Sequence, residues 1–143
     1  MRRRGISYSL NFVFGWDGET VDIFRSTLDF LHEQKVPAAY FNVLTPHKGT
    51  PLYDRMMKAG RLLNPDDMGR WPGSFCYIKP SWCTPADLES SVRNMTVEFY
   101  RLSSILSRLS IPMNLSQLAS WSVNTAQYRM IRNPKNTYEF IDY

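Results

Sequence analysis

Two stretches decide the predicted fold: ISYSLNFVFGWDGET, residues 6–20, and AAYFNVLTPHKGTP, residues 38–51. In the first, apolar and smaller or polar residues alternate over residues 6–14, which predicts a strand with one buried face. The second opens with an almost continuous apolar run, residues 38–44, which is typical of a parallel strand buried on both faces. In each stretch, glycine and polar residues follow the strand and lead into a helical pattern. The sequence therefore predicts two consecutive β/α units.

Each unit also contains helix signals. After the first strand, Val21, Phe24, Leu28 and Leu31 recur at helical spacing. After the second strand, Thr50 is suited to cap a helix, Pro51 suits its first position and Gly60 suits its end.

The connection between the two strands has the length of a right-handed parallel crossover, so we expect the strands to be parallel neighbours. In β/α barrels, loops at the carboxyl ends of such strands line the mouth. Two units are too few to close a barrel. We therefore expect an α/β fold, an incomplete parallel β/α barrel segment.

The order and spacing of these segments resemble one known family. FVFGWDGET at residues 12–20 and NVLTPHKGTPLY at residues 42–53 are similar to the last two strand-loop-helix units of radical S-adenosylmethionine (SAM) enzymes, in the subgroup with an N-terminal cobalamin-binding domain. The resemblance covers roughly residues 1–110 and includes the loop at Trp71 and the segment at residues 75–80. It implies that the chain is the C-terminal portion of such an enzyme.

In that family, the ends of these two strands contribute to the pocket for the adenine and ribose of SAM, often through backbone groups. The resemblance therefore implies SAM contacts at Phe14, Gly15, Leu44 and Thr45. It also implies SAM, a 4Fe-4S cluster and cobalamin as cofactors of the full-length enzyme. One departure is Lys48, which stands before the second loop's glycine where the family usually has proline.

The cysteines argue against a cluster in the isolated chain. The family's C-x-x-x-C-x-x-C motif is absent, and the two cysteines, Cys76 and Cys83, are separated by six residues. A 4Fe-4S cluster needs about three or four cysteine ligands, so we expect two ordinary reduced thiols in a cytoplasmic protein. We expect the isolated chain to bind no cluster or cobalamin, to bind SAM weakly at best, and to be catalytically inert.

The N-terminal residues 1–5, MRRRG, have the composition of a helix's last turn, with cations followed by glycine. A basic nucleic-acid arm or a targeting peptide is the alternative, but three arginines are few for either. The helix-end interpretation agrees with a chain that is one piece of a larger protein.

The organisation changes near residue 64, so we predict a barrel part at residues 1–63 and a mainly helical extension at residues 64–143. The extension should begin with a short strand at residues 74–79. A long helix should follow, opened by Thr84, Pro85 and Asp87 in a capping-box arrangement. Its apolar stripe is Leu88, Val92, Met95, Phe99, Leu102, Leu106 and Leu109.

A second helix should run from a cap at Asn114 or Ser116 to about Ile131, forming an antiparallel hairpin with the first. Its expected apolar face is Leu115, Leu118, Ala119, Val123, Ala126 and Met130.

Composition sets limits on function. The chain has 143 residues and a net charge of +4 with acidic and basic residues interspersed, which gives no indication of nucleic-acid binding. No apolar run approaches the roughly 20 residues of a membrane span.

Few other side chains are candidates for catalysis or for ligand binding. His47 follows the second strand and could act as an acid, a base or a ligand, although a solvated loop histidine is favoured. His32 is expected at the surface near a helix end. Asp17 and Glu19 are near a strand end, and helix capping explains them better than catalysis.

Two functions from different classes follow. In the first, the chain completes the SAM pocket of a radical SAM enzyme and covers the substrate. In the second, it is a stand-alone, non-catalytic interaction module descended from such an enzyme. Exposed strand edges also predict a partner, either a second copy or the missing N-terminal part of the enzyme.

Overall fold

The computed structural model describes residues 7–65, 73–109 and 117–133. These residues form a mixed α/β fold with a small parallel sheet of two strands and five helices, and they form no barrel. The elements, in chain order, are β1 (Ser9–Phe14), α1 (Asp22–Glu33), β2 (Ala38–Val43), α2 (Pro51–Lys58), α3 (Pro85–Phe99), α4 (Leu102–Arg108) and α5 (Leu118–Arg132). The predicted pair of parallel β/α units is confirmed.

The caps of α2 are those expected from the sequence. The Thr50 side chain accepts a hydrogen bond from the Tyr53 amide at 3.3 Å, and Pro51 opens the helix. Gly60 follows the last turn with a φ of +63°, a conformation that favours glycine. Local chemistry therefore fixes both ends of this helix.

The chain divides into two compact units. One is drawn from residues 1–11, 25–40 and 95–143, and the other from residues 12–24 and 41–94. Two predictions concern residues outside the described ranges: the helix end at residues 1–5, and the helix cap at Asn114 or Ser116. Among the described residues, no helix is long and apolar enough to cross a membrane.

The predicted long helix is wrong beyond Phe99. Helix α3 ends at Phe99, and α4 begins at Leu102 after a break. The stripe is buried up to Phe99, but Leu102 and Leu106 are 52% and 42% exposed, while Ile105 is buried instead. The break shifts the phase of the helix, so the predicted stripe leaves the buried face at Leu102 and Leu106, although its last residue, Leu109, is buried.

A buried arginine accounts for the break. The guanidinium of Arg108, 1% exposed, donates to the carbonyl oxygen of Phe99 at 2.8 Å and lies 3.6 Å above the centre of the Phe99 ring. Ser104 Oγ donates to the same carbonyl at 2.7 Å. These bonds satisfy the end of α3 in place of a continued helix.

Arg108 has further neutral partners. It donates to the carbonyls of Val36 (2.8 Å) and Pro37 (3.1 Å) and to Asn124 Oδ1 (3.1 Å). Burial lowers the pKa of Arg108 to about 10, so the guanidinium stays charged at neutral pH. This cation holds the chain before β2, the end of α3 and α5 together through hydrogen bonds.

Helix α5 therefore buries a polar face. Its buried residues are Ser120 and Asn124, and Asn124 Nδ2 donates to the Pro37 carbonyl at 2.8 Å. Leu118 and Met130 of the predicted apolar face are 44% and 38% exposed. That prediction is wrong because bonding to Arg108 and Pro37, not hydrophobic periodicity, decides which face of α5 points inward.

The short strand expected at residues 74–79 is reduced to one antiparallel bridge between Leu62 and Ile78. Flanking backbone bonds run from Leu63 N to Tyr77 O at 2.8 Å and from Lys79 N to Arg61 O at 2.8 Å. We call residues 73–82 the strap.

Candidate functional site

The four residues for which SAM contacts were expected lie together at the carboxyl ends of β1 and β2. Leu44 N donates to Phe14 O at 2.8 Å, continuing the parallel ladder past the last residue of β2. Phe14 and Leu44 are 2% and 4% exposed, Gly15 is buried and Thr45 is half-buried. The structure thus brings Phe14, Gly15, Leu44 and Thr45 to one edge, as parallel pairing requires.

A carboxylate shapes the turn after β1. One oxygen of Glu19 accepts hydrogen bonds from Gly15 N at 2.8 Å and Trp16 N at 3.2 Å. Gly15 has a φ of +113°, which favours glycine. The helix-capping interpretation of Glu19 is wrong, because its carboxylate accepts from the turn after β1 and α1 begins only at Asp22.

The strap and α3 cover Gly15. A Cβ atom added at Gly15 would lie 3.0 Å from Leu88 Cδ2, 3.4 Å from Leu44 Cβ and 3.8 Å from Ile78 Cδ1. Leu88 and Ile78 are both fully buried. Their side chains pack on the glycine of the turn and close this part of the strand-end edge.

Gly73 fastens the strap to β2. Its carbonyl accepts from Val43 N at 2.7 Å, and its amide donates to Thr45 Oγ1 at 3.1 Å. Its φ is +88°, and an added Cβ would lie 2.6 Å from Asn42 Oδ1. Only glycine fits there without a shift of the neighbouring backbone or side chain.

A second attachment joins the strap to the turn after β1. Arg61 donates to both carboxylate oxygens of Asp17 at 2.8 Å and to the Lys79 carbonyl at 3.0 Å. The hydrogen bond from Arg61 lowers the pKa of Asp17. Trp82 Nε1 also donates to the Trp16 carbonyl at 3.1 Å. Asp17 therefore has a structural role, through an ion pair with Arg61 instead of a helix cap.

The two cysteines are both free. Burial raises the pKa of the Cys76 thiol to about 11 and also raises the pKa of Cys83. Cys76 Sγ donates to Ile78 O at 3.2 Å. Protonated thiols are poor nucleophiles and poor metal ligands at neutral pH.

Among the described residues, no group of three or more His, Cys, Asp or Glu side chains is placed to hold a metal ion. The donor set of these residues therefore does not fit a 4Fe-4S cluster, whose cysteine ligands would have to come from elsewhere.

The two histidines differ in setting. His47 is exposed in the loop before α2, where its carbonyl accepts from Thr50 Oγ1 at 2.7 Å. His32 is half-buried, and its Nε2 lies 2.9 Å from Ser104 Oγ. The Ser104 proton goes to Phe99 O, so Nε2 of His32 carries a hydrogen and donates. The expectation of a plain surface His32 is wrong, because its ring stacks on that of Phe99, with 6.2 Å between centroids, and its Nε2 bonds to Ser104.

Sequence reasoning missed the contributions of Glu19, Gly73 and Arg61 to this edge. The sequence shows a glycine at position 73, but no local pattern shows that Gly73 bonds to Val43, 30 positions earlier in the chain. The site depends on contacts that are distant in sequence.

One comparison gives a relative. The chain is 27% identical over 122 residues to bacteriochlorophyllide d C-12(1)-methyltransferase of Chlorobaculum tepidum, and the match covers 85% of this chain and 25% of that protein. The chain thus spans about a quarter of the length of that relative. No protein-family model matches the chain, and no solved structure matches it. The chain is therefore distantly similar to part of a methyltransferase.

Proposed function

We propose that the chain is the C-terminal part of a cobalamin-type radical SAM enzyme, in which it completes the SAM pocket and covers the substrate, and that it is inactive alone. The observation that carries the proposal is the convergence of Phe14, Gly15, Leu44 and Thr45 at the carboxyl edge of two parallel strands, where β/α enzymes bind their ligands. The distant similarity to a methyltransferase supports a reaction that uses SAM.

In this proposal the chain's own residues bind and orient SAM. The proposed contacts to SAM are made by the backbone at Phe14, Gly15, Leu44 and Thr45, because Phe14 and Leu44 are only 2% and 4% exposed. Glu19 keeps the turn after β1 in shape through its two backbone bonds. SAM would supply the methyl group or the radical, and the cluster that cleaves it would be held outside the described residues.

A stand-alone, non-catalytic module is the second candidate, and one observation favours it. Leu88 and Ile78 pack directly on Gly15, so the turn that should approach a ligand is in contact with the chain's own core. In this case the strand ends serve only to attach the strap.

Titration with SAM, followed by backbone NMR, tests the proposed function. We expect shifts at the amides of Phe14, Gly15, Leu44 and Thr45, with weak affinity of about 1 mM because the rest of the pocket is missing. Thr45→Val should weaken the shifts, whereas Thr20→Val, at an exposed position, should not.

Two results would count against the proposal. Shifts spread over the surface, or no shift at the strand ends with millimolar SAM, would favour the non-catalytic module. Equal shifts in the Thr45→Val variant and the unmodified chain would remove Thr45 from the pocket.

A further inference from the structure

The strand-end edge proposed to bind SAM is covered by the chain itself. The backbone of Gly15 and of Leu44 is proposed to contact SAM, yet both residues are buried. At Gly15 the cover consists of the side chains of Ile78 and Leu88. Beside Leu44 the cover is Gly73, at the start of the strap. One of these two covers must therefore move before SAM can reach the edge.

The first of these covers belongs to the core. Residues 76–78 of the strap are all buried. Cys76 N donates to Glu89 Oε1 at 2.7 Å, and Leu63 N donates to Tyr77 O at 2.8 Å. Moving these residues would expose apolar side chains to water and break both hydrogen bonds. Residues 76–78 are therefore the fixed part of the strap, which we call the anchor.

The start of the strap is held differently. Residues 73–75, which we call the tip, are half-buried. Gly73 bonds to the residues on both sides of Leu44: its carbonyl accepts from Val43 N at 2.7 Å, and its amide donates to Thr45 Oγ1 at 3.1 Å. Lifting the tip would break these two bonds and uncover the backbone at the end of β2. The tip is therefore the cover that can move while the core stays intact.

We propose that the tip is a lid over the SAM edge, closed over residues 43–45 in the isolated chain and lifted about the anchor when SAM binds. The lid rests on the proposed function, because SAM is the ligand that it admits. The closed tip takes up the Val43 amide and the Thr45 hydroxyl, so the tip and the ligand compete for one surface. The apparent affinity for SAM is then reduced in proportion to the fraction of molecules in which the lid is open.

Amide hydrogen exchange on the unmodified chain, without SAM, tests whether the tip lifts. Val43 and Leu44 are adjacent and both buried, but Val43 N bonds to the tip and Leu44 N bonds across the sheet to β1. We expect the protection factor of the Val43 amide to be at least about tenfold lower than that of Leu44. The Leu63 amide, whose partner is in the anchor, should be protected as strongly as Leu44. Equal protection of Val43 and Leu44 would overturn the proposal, and so would a Leu63 amide that opens together with Val43.

Titration of a Gly73→Ala variant with SAM tests the competition. The added Cβ would lie 2.6 Å from Asn42 Oδ1 at a φ of +88°, which disfavours the closed tip. We expect the Val43 protection factor and the dissociation constant for SAM each to fall by about fivefold, because more molecules are open. The control is Gly60→Ala, whose φ is +63° and whose new Cβ would meet nothing within 4 Å, and which should match the unmodified chain in both measurements.

The outcomes separate the lid from the proposed function. If SAM shifts the strand-end amides but binds Gly73→Ala no more tightly than the unmodified chain, the tip is a wall of the pocket and the lid is refuted alone. If SAM shifts the strand-end amides in neither chain, the proposed function is refuted, and the role of the tip in admitting SAM is refuted with it, whatever the exchange of Val43.

Discussion

Replacing Tyr100 with phenylalanine tests whether the Tyr100 hydroxyl satisfies the backbone N–H and C=O of Ala39 in β2. The substitution removes one oxygen atom, and the ring keeps its edge-to-face contact with Phe99, at 5.0 Å between centroids. Burial raises the pKa of Tyr100 to about 12, so the hydroxyl is protonated at neutral pH and can donate to Ala39 O. The substitution therefore removes two hydrogen bonds and leaves the packing of the ring in place.

The expected cost follows from the two groups left behind. The N–H and C=O of Ala39 are buried, and an unsatisfied buried polar group costs about 1–3 kcal/mol. The bond to Ala39 N is long at 3.3 Å and that to Ala39 O is short at 2.7 Å, so the carbonyl dominates. We expect Tyr100→Phe to lower the free energy of unfolding by about 2–4 kcal/mol.

Urea unfolding, followed by circular dichroism, measures this change. The matched control is Tyr128→Phe, whose hydroxyl accepts from Arg132 at the surface and whose loss should change the free energy of unfolding by less than about 0.5 kcal/mol. If Tyr100→Phe were as stable as Tyr128→Phe, the Tyr100 hydroxyl would not satisfy the backbone N–H and C=O of Ala39, and this reasoning would be refuted.

Three further predictions concern glycine, the buried cation and pH. Gly73→Ala should lower the free energy of unfolding in urea more than Gly18→Ala does, by about 1 kcal/mol or more. Both glycines have φ near +90°, but only at position 73 would the new Cβ contact Asn42. Equal losses of stability in the two variants would refute this contact. Arg108→Met should cost about 3–5 kcal/mol in the same assay, because it leaves buried carbonyls unpaired; a loss below about 1 kcal/mol would contradict this. Burial, followed by the charge of Arg108, lowers the pKa of His32 below 6.5. The stability that the neutral His32 ring contributes is therefore fully present above pH 6.5 and is lost as the pH falls through the lowered pKa. The decrease in the free energy of unfolding between pH 7 and pH 5 should be smaller in His32→Gln than in the unmodified chain.

Features set by neighbouring residues could be predicted from the sequence. The capping box of α3 is present as expected: Asp87 N donates to Thr84 Oγ1 at 3.1 Å, and Thr84 N donates to Asp87 Oδ2 at 3.3 Å. The caps of α2 and the parallel pair of strands were also predicted. In each case the residues that decide the outcome lie within one turn or one β/α unit of each other.

Features set by distant residues could not be predicted. The helix break after Phe99 depends on Arg108, which bonds to the carbonyl of Val36, 72 positions away in the chain. A heptad stripe continues through the break because hydrophobic spacing carries no information about such a bond. The polar inner face of α5 has the same cause, since Asn124 faces inward to meet Arg108 and the Pro37 carbonyl.

The residues after β2 supply the groups that its backbone needs. Gly73 satisfies Val43, and Tyr100 satisfies Ala39, so two segments of the C-terminal part of the chain occupy positions that a neighbouring strand would otherwise take. An edge satisfied in this way resists pairing with another chain. At these two positions, segments of the C-terminal part of the chain satisfy backbone groups of β2 that a neighbouring strand would otherwise satisfy.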